Sequence, residues 1–193
     1  MSLEDVAFPS TVREDLAALD GAKRYRQGSA PVGRRMPILA IDPGTEQSGW
    51  CAFDGEHVNA SGVMPNAELL IYLQRQHFGI NGYRLAIEMV ASYGMPVGRE
   101  VFETVRWIGR FQQAWHSPDE VTLVYRKDIK LQLCGSIKAK DANIRQALLD
   151  MFPRTGGGKT PQIGIKAKPG PLYGVSSHAW AALAVAVVAK GTV

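Results

Sequence analysis

The chain has 193 residues, 46% of them hydrophobic and 21% charged, which leaves room for one domain with a sizeable core and a short appendage but not for two large domains. Its 20 Gly and 11 Pro fall short of a low-complexity bias, and Cys51 and Cys134 alone cannot build a disulfide framework, so a reducing, cytoplasmic setting is expected. The net charge of +4 hides a polarity: residues 37–125 hold 5 Lys/Arg against 10 Asp/Glu, whereas residues 126–168 hold 10 against 3. Such asymmetry suggests a polyanion held by one region and cations held by the other.

Residues 1–36 read as an N-terminal arm. Thr11 and Glu14 make a capping box for a short helix through Leu16 and Leu19, and a basic linker with Lys23, Arg24, Arg26, Arg34 and Arg35 follows. Acids among the apolar residues of Met1 to Ala18 argue against a secretory signal.

A single domain is expected over 37–193. Ile38–Ile41, Gly49–Phe53 and Val58–Met64 are short apolar runs that predict strands, with Asp54-Gly55 as a hairpin turn between the last two. Pro65-Asn66 opens a helix carrying Leu69, Leu70 and Leu73, and Arg84–Val90 reads as a buried strand interrupted by one acid. Val101, Val105, Ile108 and Trp115 recur at helical spacing and predict a long helix over Val97–Trp115. Val121–Tyr125 is the next strand, and Ile129–Cys134 and Ala142–Phe152 are helical. Residues 153–174, with six Gly and four Pro, read as a flexible basic loop. An Ala-rich helix over Ser177–Lys190 closes the chain; its apolar run, Ala179–Ala189, is too short to cross a bilayer, which takes about 20 residues. Strands in a meander followed by alternating strands and helices predict an α/β fold with a mixed sheet flanked by helices.

Three polar residues stand out. Asp42 ends an apolar strand before Pro43-Gly44-Thr45, where a carboxylate is held rigidly and Gly44 could admit a phosphate to the backbone. Glu88 lies within Leu85-Ala86-Ile87-Glu88-Met89-Val90, and an ionised carboxylate buried there costs several kcal/mol unless a cation or hydrogen bonds compensate. A divalent metal shared with Asp42 is such a partner, since hard cations prefer carboxylate oxygen. His178 follows the capping residues Ser176 and Ser177 at the start of the last helix.

Taken together and in this order, Ile41-Asp42-Pro43-Gly44-Thr45, Leu85-Ala86-Ile87-Glu88, Gly135-Ser136-Ile137-Lys138-Ala139-Lys140-Asp141-Ala142-Asn143-Ile144 and His178-Ala179-Trp180-Ala181-Ala182-Leu183-Ala184 resemble the signature segments of the RuvC family of Holliday-junction resolvases. The resemblance covers about residues 37–190 and implies a ribonuclease H-like mixed five-stranded sheet. It also implies phosphodiester hydrolysis by two magnesium ions, or manganese in their place, with Asp42 bridging them, Glu88 on one, and His178 with position 181 on the other. Family members carry Asp where Ala181 stands, so the resemblance implies an inactivated catalytic site, through an introduced Asp-to-Ala substitution or a natural change. It further implies a homodimer on branched, four-way DNA, with the Val97–Trp115 helix as candidate dimer surface. The phosphate grip falls to Lys138, Lys140, Arg145, Lys159, Lys166 and Lys168, and Tyr93 stands near the place of the base-stacking aromatic that some relatives carry at Ala91.

Two other motifs fail. Gly156-Gly157-Gly158-Lys159-Thr160 ends like a P-loop, but Pro153 takes the first glycine position and no apolar strand precedes it. Asp42–Thr45 is similar to the phosphate loop of actin-like ATPases, which need far more chain. Besides a junction resolvase, two alternatives remain: another ribonuclease H-like nuclease of branched DNA or RNA/DNA hybrids, and a catalytically silent junction-binding protein.

Overall fold

From Ile38 to Ile41 every side chain is buried, and alternate residues enter two different cores: Ile38 and Ala40 one, Leu39 and Ile41 the other. A strand buried on both faces needs a cover on each side. The computed structural model of the chain describes residues 36–75 and 82–191, in which helices supply that cover. The readings of a capping box and basic linker lie outside the described residues.

The sheet holds β1 (Ile38–Asp42), β2 (Gln47–Phe53), β3 (Val58–Pro65), β4 (Arg84–Met89) and β5 (Thr122–Tyr125) in the order β3-β2-β1-β4-β5. The β1–β2 and β2–β3 pairs are antiparallel, while β4 runs parallel to both β1 and β5. This is the mixed five-stranded sheet anticipated from the sequence. At the β2–β3 hairpin the Asp54 carboxylate accepts the N–H groups of Glu56 and His57, and Gly55 takes a φ of 101° that disfavours other residues.

On one face lie α1 (Asn66–Gln74) and α2 (Arg99–Ala114), burying Leu69, Leu73, Ile108 and Phe111 against Leu39, Ile41, Leu85 and Ile87. On the other lie α3 (Arg126–Cys134), α4 (Asp141–Met151) and α5 (Ala179–Gly191). The last is buried nearly all round, and its alanines let it lie close across the sheet. Gly135, in the left-handed region at φ 67°, stops α3, so the glycine of the Gly135–Ile144 segment ends one helix before α4 begins.

Residues 153–174 differ from the expected flexible loop. They fold back on themselves around the short hairpin of β6 (Gly164–Ile165) and β7 (Lys168–Pro169). Backbone bonds from Gly157 to Lys168 and from Leu172 to Gln162 tie the segment together, and Leu172 is wholly buried. A Cβ on Gly156, Gly164 or Gly170 would overlap neighbouring backbone, so these glycines serve compaction rather than freedom.

The turn between β1 and β2 is fixed by Asn66, which is 1% exposed. Its side-chain amide donates to the Gly44 carbonyl at 2.9 Å, and its carbonyl oxygen accepts from the equally buried Ser48 hydroxyl at 2.6 Å. Replacing Asn66 by Ala orphans both partners. Urea unfolding of Asn66→Ala is expected to show a loss of about 1–3 kcal/mol; an unchanged midpoint would show that the turn stands without it.

Candidate active site at the carboxyl ends of the parallel strands

In an open sheet, ligands bind outside the carboxyl ends of parallel strands, and here β1, β4 and β5 end together. Asp42 is the last residue of β1, Glu88 the penultimate residue of β4, and Arg126 follows β5 directly. By the two-residue period, Asp42 shares the face of Ala40 and Glu88 that of Ala86, which is the face covered by α5. His178 immediately precedes α5, and its carbonyl accepts the N–H groups of Ala181 and Ala182 in the first helical turn. The imidazole therefore belongs to the helix cap, one residue before the helix, whereas the sequence reading of Ser177–Lys190 put it inside.

Gly49 sets the approach of that cap. It pairs with Asp42 across β1–β2, and a Cβ there would overlap the His178 carbonyl and come within 2.8 Å of the His178 Cβ. Absence of a side chain on β2 thus brings the His178 backbone down onto the sheet beside Asp42. Gly44 also has a local role. Its Cβ would overlap the Gln47 carbonyl, so the turn itself requires a glycine.

The resulting cleft, of about 310 Å³, is lined by Asp42, Glu88, His178, Ala181, Arg126 and Asp141, with Arg145 and Trp180 beside them. His178 Nδ1 stands 3.4 Å from Asp42 Oδ2. Arg126 places one guanidinium nitrogen 3.4 Å from Glu88 Oε2 and the other against Asp141 Oδ1. Burial pushes the Asp42 carboxyl above the ordinary carboxylate range, eased by His178 and Arg126. Burial and then repulsion by Asp42 push Glu88 up to about 7, against the pull of Arg126.

Among the described residues no three His, Cys, Asp or Glu side chains form a ready-made metal-binding group. The donor set nevertheless suits a hard divalent cation: two inward carboxylates that repel one another, with an imidazole beside one of them. Asp42, Glu88 and His178 could hold such an ion, whereas the Ala181 methyl offers no donor.

The sequence-predicted residues Asp42, Glu88, His178 and Ala181 are thus brought together, and Arg145 joins them, its guanidinium 4.7 Å from the Trp180 ring centroid. Lys138, Lys140, Lys159, Lys166 and Lys168 are exposed and lie outside the cleft lining. Tyr93 is 58% exposed in the turn after β4, with a φ of 47° that is uncommon for a residue with a side chain. Arg126 and Asp141 were not anticipated. The available signal was topological: Met89 pairs with Tyr125, so the residue after Tyr125 emerges beside the Glu88 end of β4.

Two solved structures compare closely in architecture. The Thermus thermophilus RuvC structure superposes with a TM-score of 0.57 at 16% identity, covering 79% of this chain and 92% of that one. The chain carries a RuvC-like fold. T. thermophilus RuvC in complex with Holliday junction substrate gives a TM-score of 0.56 at 17% identity, over 80% of this chain and 92% of that one. No protein-family profile and no curated protein sequence matches this chain. The RuvC-like core therefore stands on shape and on the order of a few short segments.

The raised carboxyl of Glu88 has a defined consequence for stability. Its folded-state value of about 7 exceeds the ordinary 4.5, so folding favours the protonated form. That contribution is present below about pH 4.5 and is lost as pH rises through about 7. In chelator-treated protein, unfolding free energy is expected to fall between about pH 5 and about pH 8, and Glu88→Gln should flatten the decline. A wild-type decline that Glu88→Gln leaves unaltered would assign it to other groups.

Proposed function

We propose that the chain is a structure-selective DNA endonuclease that cleaves four-way junctions by divalent-metal-assisted phosphodiester hydrolysis. The observation that carries this reading is the convergence of Asp42, Glu88 and His178 in one cleft at the strand ends of a RuvC-like fold. A neighbour of the same fold is described in complex with a Holliday junction, which favours branched DNA as the substrate class.

In this reading Asp42 and Glu88 act as anionic ligands and His178 as a neutral one. A magnesium or manganese ion held there supplies Lewis-acid polarisation of the scissile phosphate and the attacking water. The water oxygen bonds to phosphorus as the P–O3′ bond breaks, and a proton from that water ends on the departing oxygen, leaving a 5′-phosphate and a 3′-hydroxyl. Gly49 and the His178 cap hold the imidazole against Asp42, so the donors are positioned before substrate arrives. Exposed Lys138, Lys140 and Arg145 around the start of α4, and Lys159, Lys166 and Lys168 on the glycine-packed segment, neutralise phosphates of the DNA arms. Tyr93, exposed beyond the Glu88 strand, offers an aromatic face to an unpaired base.

Ala181 leaves a second ion short of an acid, so cleavage is slowed while DNA binding persists. With magnesium, the chain is expected to bind a synthetic four-way junction and nick it slowly and in symmetric pairs, and Ala181→Asp should nick it at least about tenfold faster. Preferential cutting of RNA/DNA hybrids or flaps would instead support a different nuclease of this fold, and binding without cutting by either form would leave a silent junction-binding protein.

Symmetric nicks require two copies. On α2, Ile108 and Phe111 are buried in the core, while Phe102 is 64% and Val105 38% exposed, which supports this helix as the dimer face. Phe102→Glu is expected to shift sedimentation toward monomer and to uncouple the paired nicks; a dimer unaffected by this charge would place the interface elsewhere.

A further inference from the structure

Arg126 and Asp141 have no part in the reading above, yet both face the cleft. The Arg126 side chain is 30% exposed and is gripped from two sides, by the interior Glu88 carboxylate and by the 81% exposed Asp141 carboxylate. The same cleft is lined by Ala181, a methyl group where a two-ion site needs an oxygen donor. A second divalent ion would have His178 as its ligand besides a shared Asp42, and would face the guanidinium charge. Charge balance points the same way. Asp42, Glu88 and Asp141, when ionised, already face two guanidinium groups, Arg126 and Arg145, so one divalent cation brings the lining slightly past neutrality and a second would leave it strongly positive.

The geometry points to Arg126 as a catalytic residue standing in for a second metal ion: the cleft takes a single divalent cation, and the guanidinium donates to a non-bridging oxygen of the scissile phosphate. This rests on the nuclease reading given above. After its contacts with Glu88 and Asp141, each terminal nitrogen of Arg126 keeps a further hydrogen, and the planar fork suits two phosphate oxygens. Charge on those oxygens grows as the water oxygen bonds to phosphorus and the P–O3′ bond breaks, with the water proton passing to the departing oxygen. A guanidinium already fixed in place therefore favours the transition state over the bound substrate. Asp141, exposed and in contact with the opposite side of the fork, is a positioning residue that keeps Arg126 aimed into the cleft.

Manganese binding by titration calorimetry, junction affinity and single-turnover cleavage are compared in the full chain, in Arg126→Gln, in Arg126→Lys and in the double variant Arg126→Gln/Ala181→Asp. One Mn²⁺ per protomer is expected in the native chain and two in the double variant. Arg126→Gln should keep one ion and a junction affinity within about threefold, while cleavage falls about 100-fold. Arg126→Lys should recover part of that loss and carries the same test if the glutamine variant misfolds. Two Mn²⁺ ions on the native chain, or native-rate cleavage by Arg126→Gln, would overturn the assignment and leave the nuclease reading standing. A native chain that neither binds Mn²⁺ nor cuts any nucleic acid would overturn that reading itself.

Discussion

Two carboxylates are held side by side by backbone hydrogen bonds. Parallel pairing of β1 with β4 sets Ile41 opposite Ile87, so the next residues, Asp42 and Glu88, leave the sheet together on its α5 face. Their charges repel, and burial makes the repulsion worse. The surroundings answer this imbalance with positive or neutral groups: His178 from the α5 cap and Arg126 from the end of β5. A fold stabilised by apolar packing on both sheet faces can tolerate such local tension, and unfavourable local electrostatics of this kind gather at functional sites.

The rest of the molecule serves that arrangement. Asn66 locks the turn that follows Asp42, and Gly49 admits the backbone that carries His178. The alanines of α5 bring its first turn close to the strand ends, and Gly135 stops α3 so that α4 can begin with Asp141 facing Arg126. Lys138, Lys140 and Arg145, with three further lysines among residues 153–174, are exposed.

The strands were legible because their apolar runs are short, bounded by turn residues and broken by single acids, as at Glu88. Alternation along β1 distinguishes its two faces only once the sheet is known to be covered on both. Asp42 and Glu88 could be singled out since each is an acid at the end of or within an apolar run, whereas His178, behind Ser176 and Ser177, stood out through the resemblance of its segment to the RuvC signature. Arg126 and Asp141 could not, because each sits among other charged residues, at Arg126-Lys127-Asp128 and Lys138-Ala139-Lys140-Asp141, where one residue turned inward looks no different from a solvated charge. The glycines of 153–174 misled for a related reason. A glycine needed for close backbone packing and one left for flexibility read alike in sequence, and only the contacts of Gly156, Gly164 and Gly170 tell them apart. The start of α5 was placed early because Ser177 and His178 cap the helix without entering it.

The most direct test of a cation-binding carboxylate pair is anomalous X-ray diffraction from crystals grown with manganese. A peak bonded to both Asp42 and Glu88, at about 2.1 Å from their oxygens as hard divalent ions require, is the predicted result. Well-ordered crystals with no manganese at these side chains, or with the metal held elsewhere on the chain, would contradict it.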